Sequence, residues 1–277
     1  MSDVFTNGII GEYSGNDFTT KATFTTFLGI ALYNSLELLV LIFASFHRYS
    51  GLYFWSLLLS TVLGVMPQSL SFVLKYYDFG PLWFSVTLST IGWYFMVTGQ
   101  ALVLFSRLNI VVQDLTASHR VLAMIIIDSI ILHVPTTVLT YGSNFVRTPA
   151  WARGYMTMER IQLTSFCLQE FIISGLYISN TIKILRMSPP GSHRHIMKRR
   201  IMYQLLAINA LIIMMDVILL VFEYLNDFVI QTTLKSMVYS IKLKLEFRVL
   251  SRLVCFVQSQ DSWPSEPHEP RESEDLL

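Results

Sequence analysis

Apolar runs of twenty or more residues recur along this chain, and that recurrence limits its fold more than any other feature. A bilayer core about 30 Å thick is crossed by roughly 20 helical residues. Inside lipid a helix satisfies all of its own backbone groups, whereas an open strand leaves its edge unpaired. The runs cover residues 22–46, 52–74, 81–106, 121–141, 161–185, 201–222 and 228–247. Composition points the same way, with 53% of the 277 residues apolar and only 14% charged. A soluble domain carries about a quarter charged residues and needs them to cover its surface. The expected fold is an all-α membrane protein, a bundle of about seven transmembrane helices. Residues 1–21 form a short extracytoplasmic N-terminus, 22–257 the membrane domain, and 258–277 a disordered acidic cytoplasmic tail. Residues 1–17 lack a basic n-region, so the first run is expected to act as a retained signal anchor.

The seventh run is the weakest. It holds Lys235 in its body and Lys242, Lys244 and Glu246 toward its end. From Ile241 to Val249 apolar and polar residues alternate, which is a strand pattern. Because lipid forbids an open strand, this stretch reads either as the cytoplasmic end of a spanning helix with snorkelling lysines or as an interfacial segment.

Loop charge sets the expected orientation. On one side lie Arg48, Arg107, Arg120, Lys183, Arg186, Arg194, Lys198, Arg199 and Arg200; the opposite loops carry fewer, with Lys75, Arg147 and Arg153 among them. Lysine and arginine stay cytoplasmic, so the N-terminus is expected outside and the C-terminus inside. Tyr76, Tyr77, Trp83, Phe84, Trp151 and Tyr155 fall near the outer ends of the runs, where an aromatic belt belongs.

Ionisable residues within spans are costly and face the bundle interior. A rise of about 1.5 Å per residue places Glu170, Asp216 and Lys235 in an outer polar layer. The same rise places Glu37, Gln100 and Asp128 in an inner one. Asp216 and Lys235, on consecutive helices, are expected to pair, leaving Glu170 as a ligand contact. The outer set reads either as a ligand or ion contact or as helix packing and register. The inner set reads either as a gating layer or as packing. Pro67 and Pro135 are expected to kink their helices. Ser60-x-x-x-Gly64 and Gly175-x-x-x-Ser179 permit close helix approach.

The densest charge cluster is the fifth loop, with Arg194, Lys198, Arg199 and Arg200. It reads as a topology determinant on anionic headgroups or as a docking surface for a cytoplasmic signalling partner. Cys167, inside a run, reads as a small packing residue; Cys255, beyond the last run, reads as a free thiol or a palmitoylation site. The ending Glu272-Ser-Glu-Asp-Leu-Leu277 reads as a plain acidic tail or a dileucine sorting signal.

Several functions are disfavoured. The two cysteines and the single in-span histidine, His133, offer no metal set, and no phosphate loop, H-E-x-x-H or G-x-S-x-G occurs. The chain reads as a non-enzyme with no cofactor. Retinal would suit Lys235, but the third run contains no acid. Nucleic acid is not an expected partner at a net charge of +1. The third run ends Ser106-Arg107-Leu108, no N-P-x-x-Y follows, and no cysteine pair ties the third run to the next outer loop, which argues against mainstream rhodopsin-type receptors.

A resemblance adds to this reading. It rests on Gly92-Trp93-Tyr94, Ala101-Leu-Val-Leu-Phe-Ser-Arg-Leu108, Met158-Glu-Arg-Ile-Gln-Leu163, Gln169-Glu-Phe-Ile-Ile-Ser-Gly-Leu-Tyr177 and Tyr239-Ser-Ile-Lys-Leu-Lys-Leu-Glu-Phe247. These stretches resemble an uncharacterised family of fungal integral membrane proteins with a seven-helix, rhodopsin-like or receptor-like layout, over residues 20–257. The resemblance implies a multi-pass protein of the plasma membrane or an endomembrane and assigns no functional residue. The leading expectation is a receptor-like protein. The alternatives are a small transporter or proton-coupled carrier, disfavoured by the lack of an inverted repeat, and a non-catalytic structural membrane protein.

Overall fold

Lipid tails are as apolar as leucine, so helices in a bilayer associate through close packing and polar contacts rather than through a hydrophobic effect. The computed structural model shows that logic. It describes residues 18–45, 51–111, 115–187, 193–225 and 228–261, except for the side chains of 110, 115, 184, 185, 187, 193–201, 228, 229 and 250–261. Among the described residues the chain is all helix, with seven helices and no strand. They are α1 (Phe18–Ser45), α2 (Leu52–Tyr77), α3 (Leu82–Val111), α4 (Leu115–Tyr141, extended by a π turn at Gly142–Val146), α5 (Pro149–Met187), α6 (His193–Tyr224) and α7 (Phe228–Asp261). The first six are long and apolar enough to cross a membrane. α7 has the length but carries too many charges to qualify by composition.

Each helix packs on the next in sequence, and α7 returns to α1, which closes the ring. α3 is the innermost helix and touches α2, α4, α5 and α7. The distribution of side chains is inverted relative to a water-soluble protein. Val40, Phe43, Ile130, Ile131, Leu168 and Val221 are each more than half exposed, while Gln100, Asn209, Ser236, Lys242 and Glu246 are fully buried. That is the pattern of a multi-pass membrane protein.

Several helices outrun the apolar runs that signal them. α5 begins at Pro149 rather than 161, so a segment expected as loop is helical and carries Glu159 into the bundle. α3 continues to Val111 and takes Arg107 with it. α6 begins at His193, so Arg194, Lys198, Arg199 and Arg200 lie in its first turns rather than in a loop; their side chains fall outside the described residues. α7 runs through the alternating segment as continuous helix to Asp261. The Cys255 side chain and the tail from 262 also fall outside the described residues.

α2 and α3 pack most extensively, and small residues are the reason. A methyl group at Gly92 would sit 2.6 Å from the Gln68 backbone nitrogen, and one at Gly64 would sit 2.8 Å from the Met96 backbone. At this contact α2 widens into a π segment, Ser60–Val65, immediately before Pro67. Proline lacks the N–H that a regular turn needs, and a π segment accommodates that loss. Pro135, by contrast, lies inside a continuous α4. The Ser60–Gly64 pair thus marks a genuine close approach. Gly175 does not, since a methyl there would meet nothing within 4 Å. Gly92→Ala is therefore expected to destabilise the bundle by about 1–3 kcal/mol through overpacking, with Gly175→Ala near neutral. Thermal unfolding of both variants in detergent checks this, and equal melting temperatures would refute the close approach.

Candidate functional site

One face of α7 organises the interior. Lys235, Lys242 and Glu246 are separated by seven and four residues, so at 100° per residue they stand in one stripe. The stripe is roughly 16 Å long by helical rise. It meets α5, which runs parallel to α7, and α6, which runs antiparallel. The result is three stacked layers of charge.

In the first layer the Lys235 ammonium donates to Glu159 of α5 at 2.7 Å and lies 2.9 Å from Glu223 of α6. Gln231, one turn earlier on α7, donates its amide to Glu223. In the second layer Lys242 has no exposed side-chain surface. Its ammonium donates to Glu170 at 2.8 Å and to Asp216. Tyr239 places its ring 4.7 Å from the same ammonium. The other Asp216 oxygen, Oδ2, is buried with no hydrogen-bond partner among the described residues. In the third layer Arg107 of α3 lies 3.0 Å from the fully buried Glu246. Arg107 donates to Asn209 of α6 and stands 4.3 Å over the ring of Tyr177 of α5. On a second face of α7, Lys244 donates to Glu37 at 2.5 Å and to Asn34 at 3.0 Å, tying α7 to α1.

The expected Asp216–Lys235 pair is not made. Asp216 serves Lys242, and Lys235 stands two helical turns away with Glu159 and Glu223. Seven residues back along α6, from Glu223 to Asp216, correspond to seven residues forward along α7, as an antiparallel register requires. Glu170 and Asp216 do come together, as expected, but on Lys242. Lys242 is not a snorkelling lysine; it is sealed inside the bundle. The inner set disperses. Glu37 pairs with Lys244. Gln100 is fully buried with neither amide atom hydrogen-bonded among the described residues. Asp128 is half-buried and makes no ion pair among the described residues. His133 accepts or donates at Thr98 Oγ1 over 2.8 Å and stacks on Tyr94. Cys167 is buried, its thiol 3.9 Å from the Asp216 carbonyl.

Beside the first layer lies a cavity of about 90 Å³, room for several water molecules. Helices α2, α3, α4, α5 and α7 enclose it. Lys75, Ser85, Glu159, Gln162 and Lys235 supply polar walls, and Phe72, Trp93 and Phe166 supply apolar ones. Lys75, expected in a loop, lies in the last turn of α2 and donates to Asn144 at 3.2 Å. No group of three or more His, Cys, Asp or Glu suited to a metal occurs among the described residues.

A ring of apolar helices that buries its charges defines a polytopic helical membrane protein. Residues 19–263 match the family model DUF7703, a domain of unknown function, and the chain belongs to that family. No curated protein and no solved structure matches it.

Proposed function

We propose that this chain is a receptor-like membrane protein that holds a small polar ligand in the cavity beside Lys235 and transmits its presence along α7. One observation carries the reading. Lys235 is both a wall of the cavity and the first member of the stripe that continues through Lys242 to Glu246. A ligand seated beside Lys235 perturbs its pairs with Glu159 and Glu223 and shifts α7 against α5 and α6, which with α3 hold the other two layers. Buried ion pairs lock one arrangement because they are costly to leave half-made. α7 is the seventh span in this reading, with Lys235, Lys242, Lys244 and Glu246 each answered inside the bundle. The basic turns of α6, with Arg120 and Arg186, face the cytoplasm and put the N-terminus outside.

In this reading Arg194, Lys198, Arg199 and Arg200 dock the cytoplasmic partner. The test is proximity labelling from the C-terminus in cells, comparing the wild type with a variant carrying Gln at all four positions. The expected result is loss of specific cytoplasmic neighbours with membrane delivery intact; an unchanged labelling profile overturns the docking role.

A second reading is a proton-coupled carrier. The second layer favours it, because two buried carboxyls face one lysine, and carboxyl groups at successive depths are how pumps relay protons. Liposomes containing the full chain separate the two. The receptor reading expects no proton or cation flux above protein-free vesicles across a pH range. Flux that collapses in Asp216→Asn and in Lys235→Met retires it in favour of the carrier.

A further inference from the structure

The cavity's two lysines differ in a way that specifies what fits between them. Lys235 is fully engaged, with two carboxylates within 2.9 Å. Lys75 makes no ion pair among the described residues; its one partner is the neutral side-chain oxygen of Asn144. Ser85, on α3 in the cavity lining, is 1% exposed, and its hydroxyl has no partner among the described residues. Gln162 of α5, also in the lining, accepts from Thr136 on its Oε1, which leaves its NH₂ as a donor. The cavity therefore holds a free ammonium, a free hydroxyl and a free amide N–H. Its one lining acid, Glu159, is already committed to Lys235.

Donors in excess, with a single uncommitted cation, call for an anionic acceptor of one charge. The apolar walls from Phe72, Trp93 and Phe166 call for an organic body beside it. We infer that the cavity binds a compact organic carboxylate, its oxygens on Lys75 Nζ and Ser85 Oγ and its apolar part against Trp93 and Phe166. This deepens the ligand-binding half of the proposal above and rests on it. Free carboxylic acids and amino acids share this chemistry. An ammonium on the ligand would have to compete with Lys235 for Glu159, so the plain carboxylate is the better fit. A divalent anion would exceed the one free cation.

The test is calorimetric binding to the purified full chain in lipid nanodiscs. The probes are propionate and phenylacetate, the matching amides, and glycine and phenylalanine. Carboxylates are expected to bind at least tenfold more tightly than their amides. Lys75→Gln is expected to erase that difference, and Ser85→Ala to weaken carboxylate binding several-fold. Lys75 makes no ion pair among the described residues and Glu159 keeps Lys235, so the replacement breaks no pair and the melting temperature of the variant is expected to stay near wild type. Lys183→Gln, on α5 and outside the cavity lining, is expected to bind as the wild type does. Tighter binding of the amino acids than of the plain acids would support the carboxylate site and name amino acids as its source. Equal binding of acids and amides, wild-type binding by Lys75→Gln, or no binding by any probe would overturn the inference. Binding is read here without any cytoplasmic partner. A chain that binds carboxylates yet loses the labelling test keeps the site and loses the receptor reading, and the reverse result does the opposite.

Discussion

Lys242→Met is expected to lower the unfolding free energy by about 3–5 kcal/mol, the usual cost of stranding a buried ion partner. Lys242 is sealed from solvent, and both Glu170 and Asp216 lean on it. With the ammonium gone, two buried carboxyls face each other with nothing to answer either. Helices inserted in lipid find substitute partners even when the tertiary fold is lost, which argues for the lower end of that range. The combined variant Lys242→Met, Glu170→Gln, Asp216→Asn removes every charge of the layer and is expected to recover most of the loss. Unfolding in mixed micelles of mild detergent and SDS measures both. If Lys242→Met alone stays within about 1 kcal/mol of wild type, a typical single-mutation effect, the layer does not hold the bundle together.

That layer also shows how much the sequence discloses. Six of the spans are legible because lipid imposes an apolar run of fixed length, and Asp216 and Glu170 are legible because an acid inside such a run has no bland explanation. The partner assignments are not. Glu159, Glu223 and Arg107 sit just outside the apolar runs, where a reading based on hydropathy gives them to loops, and Glu246 sits at the end of the weakest run. The helices instead continue past the runs, and the continuation delivers these charges to the interior. A usable signal was present. Asn209, Asp216 and Glu223 recur every seven residues on α6, as Lys235 and Lys242 do on α7. Two such stripes on consecutive antiparallel helices fix a register. Depth counted from span ends cannot supply that register, because α6 and α7 need not begin at the same level. The alternation after Ile241 misleads for a related reason. Lys242 and Glu246 are four apart and face α5, α6 and α3, while Lys244 between them faces α1, so two polar faces of one helix mimic the period of a strand. Lys75 was hidden in another way: one turn from the end of α2, it counts as a loop charge until the fold shows that it lines a cavity.

The third layer separates a structural column from one that transmits. Arg107→Met is expected to cost about 3–5 kcal/mol. It leaves the fully buried Glu246 without its cation, Asn209 without its donor and the Tyr177 ring without its guanidinium. Glu246→Met is expected to cost a similar amount by stranding Arg107. The double variant Arg107→Met, Glu246→Met removes both charges and is expected to be far more stable than the two losses added together, because well-packed apolar replacements of a buried pair are often neutral. Micelle unfolding of the four proteins gives the coupling energy, and additive losses would mean that the two side chains do not act as a pair. The double variant then decides between roles. If the pair serves packing alone, restored stability restores the cytoplasmic labelling profile with it. If Lys235 communicates with the basic turns of α6 through this stripe, the double variant is stable and binds carboxylate at the cavity, yet loses any ligand-dependent change at the cytoplasmic face. A stable fold that binds and does not respond is the signature of a severed coupling rather than of a damaged structure.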